Sequence, residues 1–269
     1  MSATFDLKAR LQEMRITPKK AFGQNFLVNP HVIKKIIEAV RVHEFKDLIE
    51  IGPGLGALTE PLLTAGLCPR LIELDSDLVE HWRGRELEVI DADALKLDWE
   101  SLKLREPSLL VSNLPYQIST SLVIDRCFGP RPLKHMILMF QKEVAQRLMA
   151  EPRSKEYGLL SVMAQLHFSM RRVADASPGD FFPPPKIASR VLYFERRPGA
   201  SMGKSFLTFL KAGFAFRRKF LLKNLKTVVD KSKLERMPAV FAGLGISEKA
   251  RAEELSPAQF VDLYLKVNQ

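Results

Sequence analysis

The stretch DLIEIGPGLGALTEPLLTAG, residues 47–66, constrains the fold of this 269-residue chain more than any other. A short apolar strand runs into a glycine-rich turn, and the turn runs into a helix. Gly52, Gly54 and Gly56 let a ligand approach the backbone closely, because no Cβ stands in the way. Gly52, Gly54 and Ala57 fit the G-x-G-x-x-G/A spacing of a nucleotide-binding turn. The same alternation continues along the chain. RLIELD reads as a second strand with a helix from Ser76, and LEVIDAD as a third. SLLVSN is a fourth, with a helix from about Ser119 to Cys127. KHMILMF is a fifth, with a helix in QKEVAQRLMA. Strands alternating with helices predict βαβ units and a mostly parallel sheet. MRRVADA and ASRVLYFERR predict a further pair of strands at its edge.

The acids that follow the turn narrow the ligand. Glu73 ends the second strand, 21 residues past Gly52, where a carboxylate accepts from ribose hydroxyls. The turn therefore predicts an adenosine-containing cofactor without saying which one. Pro53 removes an N–H where a pyrophosphate needs donors. Asp93, at the end of the third strand, suits an adenine amino group. Acids at both strand ends suit a positive sulfonium with no phosphates, which is S-adenosylmethionine.

The fourth strand ends abruptly in Asn113-Leu114-Pro115-Tyr116. In a doubly wound sheet this tip lies beside the first strand, at the edge where ligands bind. An exocyclic amine such as adenine N6 is a poor nucleophile. The Asn113 side-chain oxygen and the Leu114 carbonyl can accept its N–H bonds and favour the charge that develops on attack. Pro115 fixes the turn, and Tyr116 offers a face for stacking the base. As an isolated motif the same four residues would make an ordinary helix cap.

Charge points to the partner. The formal net charge is +10, with a pI near 9.6, which favours an anionic partner such as nucleic acid. RRPGASMGK, residues 196–204, reads as a linker, and beyond it the pattern is only helical. Residues 204–236 hold ten Lys or Arg against Asp230 and Glu235. Phe206, Leu210, Phe214, Leu221 and Leu225 are expected to share one helix face, and Lys219, Lys223 and Lys226 another. FFPPPK, residues 181–186, sets aromatics beside a stiff proline run, with Lys186 near a phosphate. Cys68 and Cys127 match no metal spacing and read as two apolar core thiols in a reducing cytosol. No signal peptide and no membrane-length apolar run is read from the sequence, and a cytoplasmic protein is expected.

FGQNFL, EIGPGLGALT, IELD, DAL, NLPY, FQKEVAQRL, FFPPPKIASRV, AFRRKFLLKNL and RAEELSPAQF occur in this order. As a set they resemble the ribosomal RNA adenine N6-dimethyltransferases, closest to the type acting on small-subunit rRNA, over residues 20–266. The resemblance implies an α/β fold, with a Rossmann-like class I methyltransferase sheet over residues 1–198 and a small all-helical domain over 199–269. Residues 1–30 would be a basic, cofactor-covering segment. It implies S-adenosylmethionine as cofactor and no metal. The acceptors would be two adjacent adenosines near the 3′ end of small-subunit rRNA, within a pre-assembled subunit, and the enzyme would act as a monomer in ribosome biogenesis. Gln24, Asn25, Leu27, Gly52, Gly54, Glu73, Asp93 and Asn113 would line the cofactor. Asn113, Leu114, Pro115 and Tyr116 would hold the amine, with Phe181 stacked on the other face of the adenine. Lys186, Arg217, Arg218, Lys219, Lys223 and Lys226 would contact RNA. The alternatives are the Erm type, which methylates large-subunit rRNA, a non-catalytic assembly factor on the same fold, and an NAD-dependent oxidoreductase. The last lacks a residue placed for hydride transfer.

Overall fold

A computed structural model describes residues 25–129, 133–199 and 202–268. The chain divides into two compact units. The first takes the residues up to Ala145 together with Ser169–Arg196. The second takes Gln146–Phe168 together with the residues from Arg197 onward. The segment 146–168 thus belongs with the C-terminal residues, although in sequence it lies before the last three strands. Of the two cysteines expected in the core, Cys127 is buried and Cys68 is exposed.

In the first unit, β1 (Phe26–Leu27) leads to α1 (Pro30–Arg41). The helix starts where the sequence dictates. Asn29 accepts from the backbone N–H groups of His31 (2.8 Å) and Val32 (3.3 Å), and Pro30 needs no N–H at the first helical position. Val32, Ile33, Ile36, Ile37 and Val40 form its buried stripe. Then follow β2 (Asp47–Ile51), α2 (Thr59–Thr64), β3 (Arg70–Glu73), α3 (Ser76–Arg83), β4 (Val89–Asp91), β5 (Ser108–Ser112), α4 (Tyr116–Phe128), β6 (Leu133–Gln141) and α5 (Lys142–Leu148). After α6 (Leu159–His167) come β7 (Phe168–Ala176), β8 (Phe181–Phe182) and β9 (Ser189–Arg196).

The seven-stranded sheet has the order β4-β3-β2-β5-β6-β9-β7. Neighbours from β4 through β6 pair in parallel, and β9 pairs antiparallel with β6. β2 and β5 are almost wholly buried, with apolar centres, as strands covered on both faces are. Strand order reverses between them, so their carboxyl ends open a crevice. β1 and β8 form a separate two-stranded ladder, with Phe26 opposite Phe182 and Leu27 opposite Phe181.

In the second unit, α7 (Lys204–Gly213) is followed by α8 (Leu221–Leu225), α9 (Lys231–Leu234), α10 (Met237–Gly243) and α11 (Pro257–Asn268). Phe206, Leu210, Leu221, Leu225, Phe241, Phe260 and Leu263 are fully buried there. Two features differ from expectation. The chain breaks between α7 and α8, so the apolar residues from Phe206 to Leu225 come from two short helices rather than one. For the same reason Lys219, Lys223 and Lys226 do not share a helix face: Lys219 precedes α8, Lys223 lies within it and Lys226 caps its end. Gly213 allows the close turn, since a Cβ there would sit 3.1 Å from Leu221 Cδ1.

One polar cluster in the first unit makes stability sensitive to acid. The His43 ring stacks on His135 and Tyr193, with centroids 4.7 and 4.4 Å apart. His135 Nδ1 bonds the Tyr193 hydroxyl at 2.8 Å, and the Arg171 guanidinium covers the Tyr193 ring. Burial first, then the nearby His43 and Lys134, push the His135 pKa down to about 4, against the opposing charge of Glu195. The folded state therefore holds His135 neutral where the unfolded chain protonates it. Its contribution is fully present above pH 6.5 and is lost as pH falls towards 4. Urea unfolding should show stability lower by about 1–2 kcal/mol at pH 4.5 than at pH 7 from this group. His135→Gln should lose less over the same range.

Candidate active site

The crevice at the ends of β2 and β5 is a cavity of about 260 Å³. It is lined by Asn25, Phe26 and Leu27 from β1 and the residue before it, by Glu50 to Gly54, Ala57 and Leu58 around the glycine turn, by Ile72 to Leu74, by Ala92 to Ala94, and by Asn113 to Ile118. Every expected cofactor residue among the described residues is brought together here: Asn25, Leu27, Gly52, Gly54, Glu73, Asp93 and Asn113. Gln24 lies outside the described residues.

The turn is shaped by its glycines. Gly52 and Gly54 have φ of +64° and +54°, which side-chain-bearing residues rarely adopt. A Cβ at Gly52 would meet no atom within 4 Å, so this glycine preserves open space along the cavity. A Cβ at Gly54 would sit 3.1 Å from the Phe26 ring. The Gly54 carbonyl accepts from Trp82 Nε1 at 3.0 Å, which holds the turn in place. Gly56 corrects the expectation of a ligand-facing glycine: it does not line the cavity, and a Cβ there would collide with the Trp82 ring at 2.8 Å.

Three carboxylates surround the cavity, and among the described residues that line it there is no Lys, Arg or His. Glu73 Oε1 accepts from the backbone N–H groups of Leu74 (2.7 Å) and Asp75 (3.0 Å), and Oε2 lies 3.4 Å from Gly54 N. Burial raises the Glu73 pKa against these three donors. Asp93 Oδ1 accepts from Leu95 N at 2.9 Å. Glu50 escaped the sequence reading. It is 1% exposed, accepts from the Thr59 hydroxyl at 2.8 Å, and burial pushes its pKa up to about 8 against that hydrogen bond, with Glu73 adding to the rise. The available signal was an acid in the interior of the strand DLIEI, flanked by Ile49 and Ile51.

Asn113 to Tyr116 line the crevice at the end of β5. The Ser112 hydroxyl bonds the Ile51 carbonyl, which ties the two strand ends together. Asn113 Nδ2 donates to the Asn25 carbonyl at 3.1 Å. With its amide nitrogen engaged, the side chain keeps its oxygen end for an incoming N–H donor. Pro115 is the N-cap of α4, so Tyr116 is the first residue of the helix, earlier than the expected start at Ser119. The Tyr116 hydroxyl bonds Ser189 Oγ at 2.6 Å, which fixes its ring at the cavity.

Phe181 is placed differently from expectation. It is 3% exposed, packs with Leu27 in the main core and does not line the cavity. The β1–β8 register explains this, because Phe181 opposite Leu27 points to the core side of the ladder. The neighbouring Phe182 is 40% exposed. Lys186, Arg218, Lys219, Lys223 and Lys226 are exposed. Arg217 is committed to Glu253 by an ion pair and to the Ser154 carbonyl at 3.3 Å.

Sheet order, glycine turn and acid-lined crevice define a Rossmann-like, S-adenosylmethionine-dependent methyltransferase. Comparison with known proteins narrows the class. The family model for ribosomal RNA adenine dimethylase matches residues 16–269. The chain is 50% identical to the ribosomal RNA small subunit methyltransferase A of Bdellovibrio bacteriovorus, over 98% of each chain. It is 40% identical to the protein of that name from Methylococcus capsulatus, over 95% of this chain and all of the other. Among solved structures it resembles a dimethyladenosine transferase from Plasmodium falciparum, with TM-score 0.77 and 26% identity over 90% of this chain and 97% of the other. It shares its fold with the 23S rRNA methyltransferase ErmE, with TM-score 0.64 and 24% identity over 91% and 100% of the two chains. The chain belongs to the ribosomal RNA adenine dimethylase family.

The residues fit the cofactor that the family uses. A cation without phosphates suits a cavity of carboxylates, a proline in the turn and open space at Gly52. A cationic ligand is held best when Glu50 is ionised, so its affinity should rise with pH through about 8. Calorimetric titration with S-adenosylmethionine between pH 6.5 and 9 should show this rise. In Glu50→Gln the rise should disappear and binding should be weaker throughout.

Proposed function

We propose that this chain dimethylates adenosine N6 in small-subunit rRNA through the grip formed by Asn113 and the Leu114 carbonyl, in the service of ribosome biogenesis. The observation that carries this reading is the Asn113 amide, held by the Asn25 carbonyl at the mouth of an acid-lined cavity. When bound, S-adenosylmethionine supplies an electrophilic methyl group. Asn25, Leu27, Gly52, Gly54, Glu73 and Asp93 would hold it, with Glu50 adding negative charge.

The chain's own residues then do three things. Asn113 Oδ1 and the Leu114 carbonyl accept the N–H bonds of the amine and stabilise the positive charge it develops. Pro115, as the helix cap, holds that carbonyl in position. Tyr116, pinned by Ser189, offers its ring to the base. Burial raises the pKa of its phenol, so the hydroxyl stays protonated and serves as an anchor. No general base is required, since the amine proton can leave after transfer. Catalysis is therefore positioning and electrostatics.

The finer reading is two adjacent adenosines near the 3′ end, acted on by a cytoplasmic monomer within a pre-assembled subunit. It rests on the likeness to relatives named for the small ribosomal subunit. Lys186, and separately Arg218, Lys219, Lys223 and Lys226, are exposed cations suited to phosphates. Among the described residues no helix is long and apolar enough to cross a membrane, and no group of three or more metal-ligating side chains occurs.

Labelled S-adenosylmethionine, incubated with the protein and unmodified ribosomal subunits, tests the reading. Dimethyladenosine should appear in small-subunit RNA. Label confined to large-subunit RNA would overturn it. Asn113→Ala should lower single-turnover transfer by about 10²–10³-fold while subunit binding persists.

A further inference from the structure

Between α7 and α8 the second unit exposes a phenylalanine in a basic turn. Phe216 is 54% exposed, whereas Phe206, Phe209, Phe241 and Phe260 are buried. A single exposed apolar side chain is ordinary on a protein surface. Three observations set this one apart.

First, the turn is held rigid. The Phe216 carbonyl accepts from Lys219 N at 3.0 Å and from Asn224 Nδ2 at 3.1 Å. The same Asn224 amide, itself 3% exposed, also donates to the Gly213 carbonyl at 2.7 Å. Next to it, Arg217 is tied to Glu253 and to the Ser154 carbonyl. The ring is presented from a fixed backbone, so little ordering entropy remains to be lost on binding. Second, the Lys219 ammonium sits 4.1 Å from the centre of the Phe216 ring, a cation–π contact that orients both groups. Third, the cations that follow it in the chain, Arg218, Lys219 and Lys223, are exposed, and Lys223 lies 5.7 Å from the centre of the neighbouring Phe220 ring. An aromatic face flanked by cations matches a nucleotide, whose base stacks while its phosphates pair. An apolar protein partner would leave those cations unmatched.

We propose that Phe216 is a stacking platform for an unpaired base of the small-subunit rRNA, with Lys219 covering one face of its ring and the base taking the other. This rests on the reading of the basic tail as an RNA-contacting surface. Arg217 is thereby reassigned from phosphate contact to positioning the turn.

The test measures affinity of the full-length protein for purified, unmodified small ribosomal subunits across a salt series. Phe216→Ala should bind roughly tenfold more weakly, with an unchanged slope of log affinity against log salt, because no charge is removed. Phe216→Trp should bind as tightly as the native protein or more so, and Phe216→Leu should behave like Phe216→Ala. Thermal unfolding checks that each variant is folded. A Phe216→Ala protein that binds as well as the native one overturns the proposal, and so does a Phe216→Leu protein that restores binding. The underlying reading is tested separately by Arg218→Glu with Lys223→Glu. These should weaken binding and flatten the salt slope. If they leave both unchanged, the tail is not an RNA surface and the stacking proposal falls with it.

Discussion

Parallel pairing of β2 with β5 at the centre of the sheet is the constraint on which the site depends. Glu50 pairs with Val111, and the Ser112 hydroxyl reaches across to the Ile51 carbonyl. The chain runs one way from β2 to β3 and β4, and the other way from β5 to β6. No strand can cover the gap that this divergence opens at the carboxyl edge. The glycine turn after β2 and the Asn-Leu-Pro-Tyr turn after β5 must therefore face one another. The glycine turn supplies space. Glu50, Glu73 and Asp93 supply carboxyl groups from β2, β3 and the segment after β4, and the turn after β5 carries the Asn113 amide and the Leu114 carbonyl. Loss of that register would separate the groups without altering any of them.

The electrostatics follow from the same placement. Glu50 and Glu73 are buried acids near one another, and burial drives both pKa values upward. Glu73 is partly compensated by backbone donors, while Glu50 has the Thr59 hydroxyl. Two carboxyl groups held against their preference to be hydrated are a costly arrangement in an unliganded core. The cost becomes intelligible if a cation comes to lie beside them. Among the described residues no basic residue lines the cavity, although Lys96 lies 3.8 Å from Asp93 outside it, and a carboxylate lining disfavours phosphate-bearing nucleotides, which agrees with Pro53 in the turn.

Much of this was legible in the sequence, and the exceptions share a physical cause. The alternation of strand and helix, the acids near strand ends and the polar tip of the fourth strand are local patterns, and they stand close to where the sequence put them, with the helix after that strand starting at Tyr116 rather than Ser119. The edge pair, β7 and β9, was read from MRRVADA and ASRVLYFERR, of which only the second is rich in β-branched and aromatic residues. Properties set by tertiary register were not legible. Phe181 and Phe182 are adjacent aromatics, and only pairing with β1 decides which one is buried. Lys219, Lys223 and Lys226 have helical spacing, but the chain leaves the helix after Gly213 and re-enters one only at Leu221. Residues 146–168 group with the C-terminal helices through long-range contacts that no local pattern encodes. Glu50 was visible as an anomaly, an acid in a strand buried on both faces, and its meaning needed the neighbouring Glu73.

The central claim is that one crevice holds the methyl donor and presents it to the grip at Asn113. A crystal structure of the protein with S-adenosylhomocysteine tests this most directly. The account predicts the ribose on Glu73, the adenine amino group towards Asp93, and the sulfur facing Asn113 and the Leu114 carbonyl. A ligand bound outside this cavity, or one whose sulfur faces away from Asn113, would contradict it.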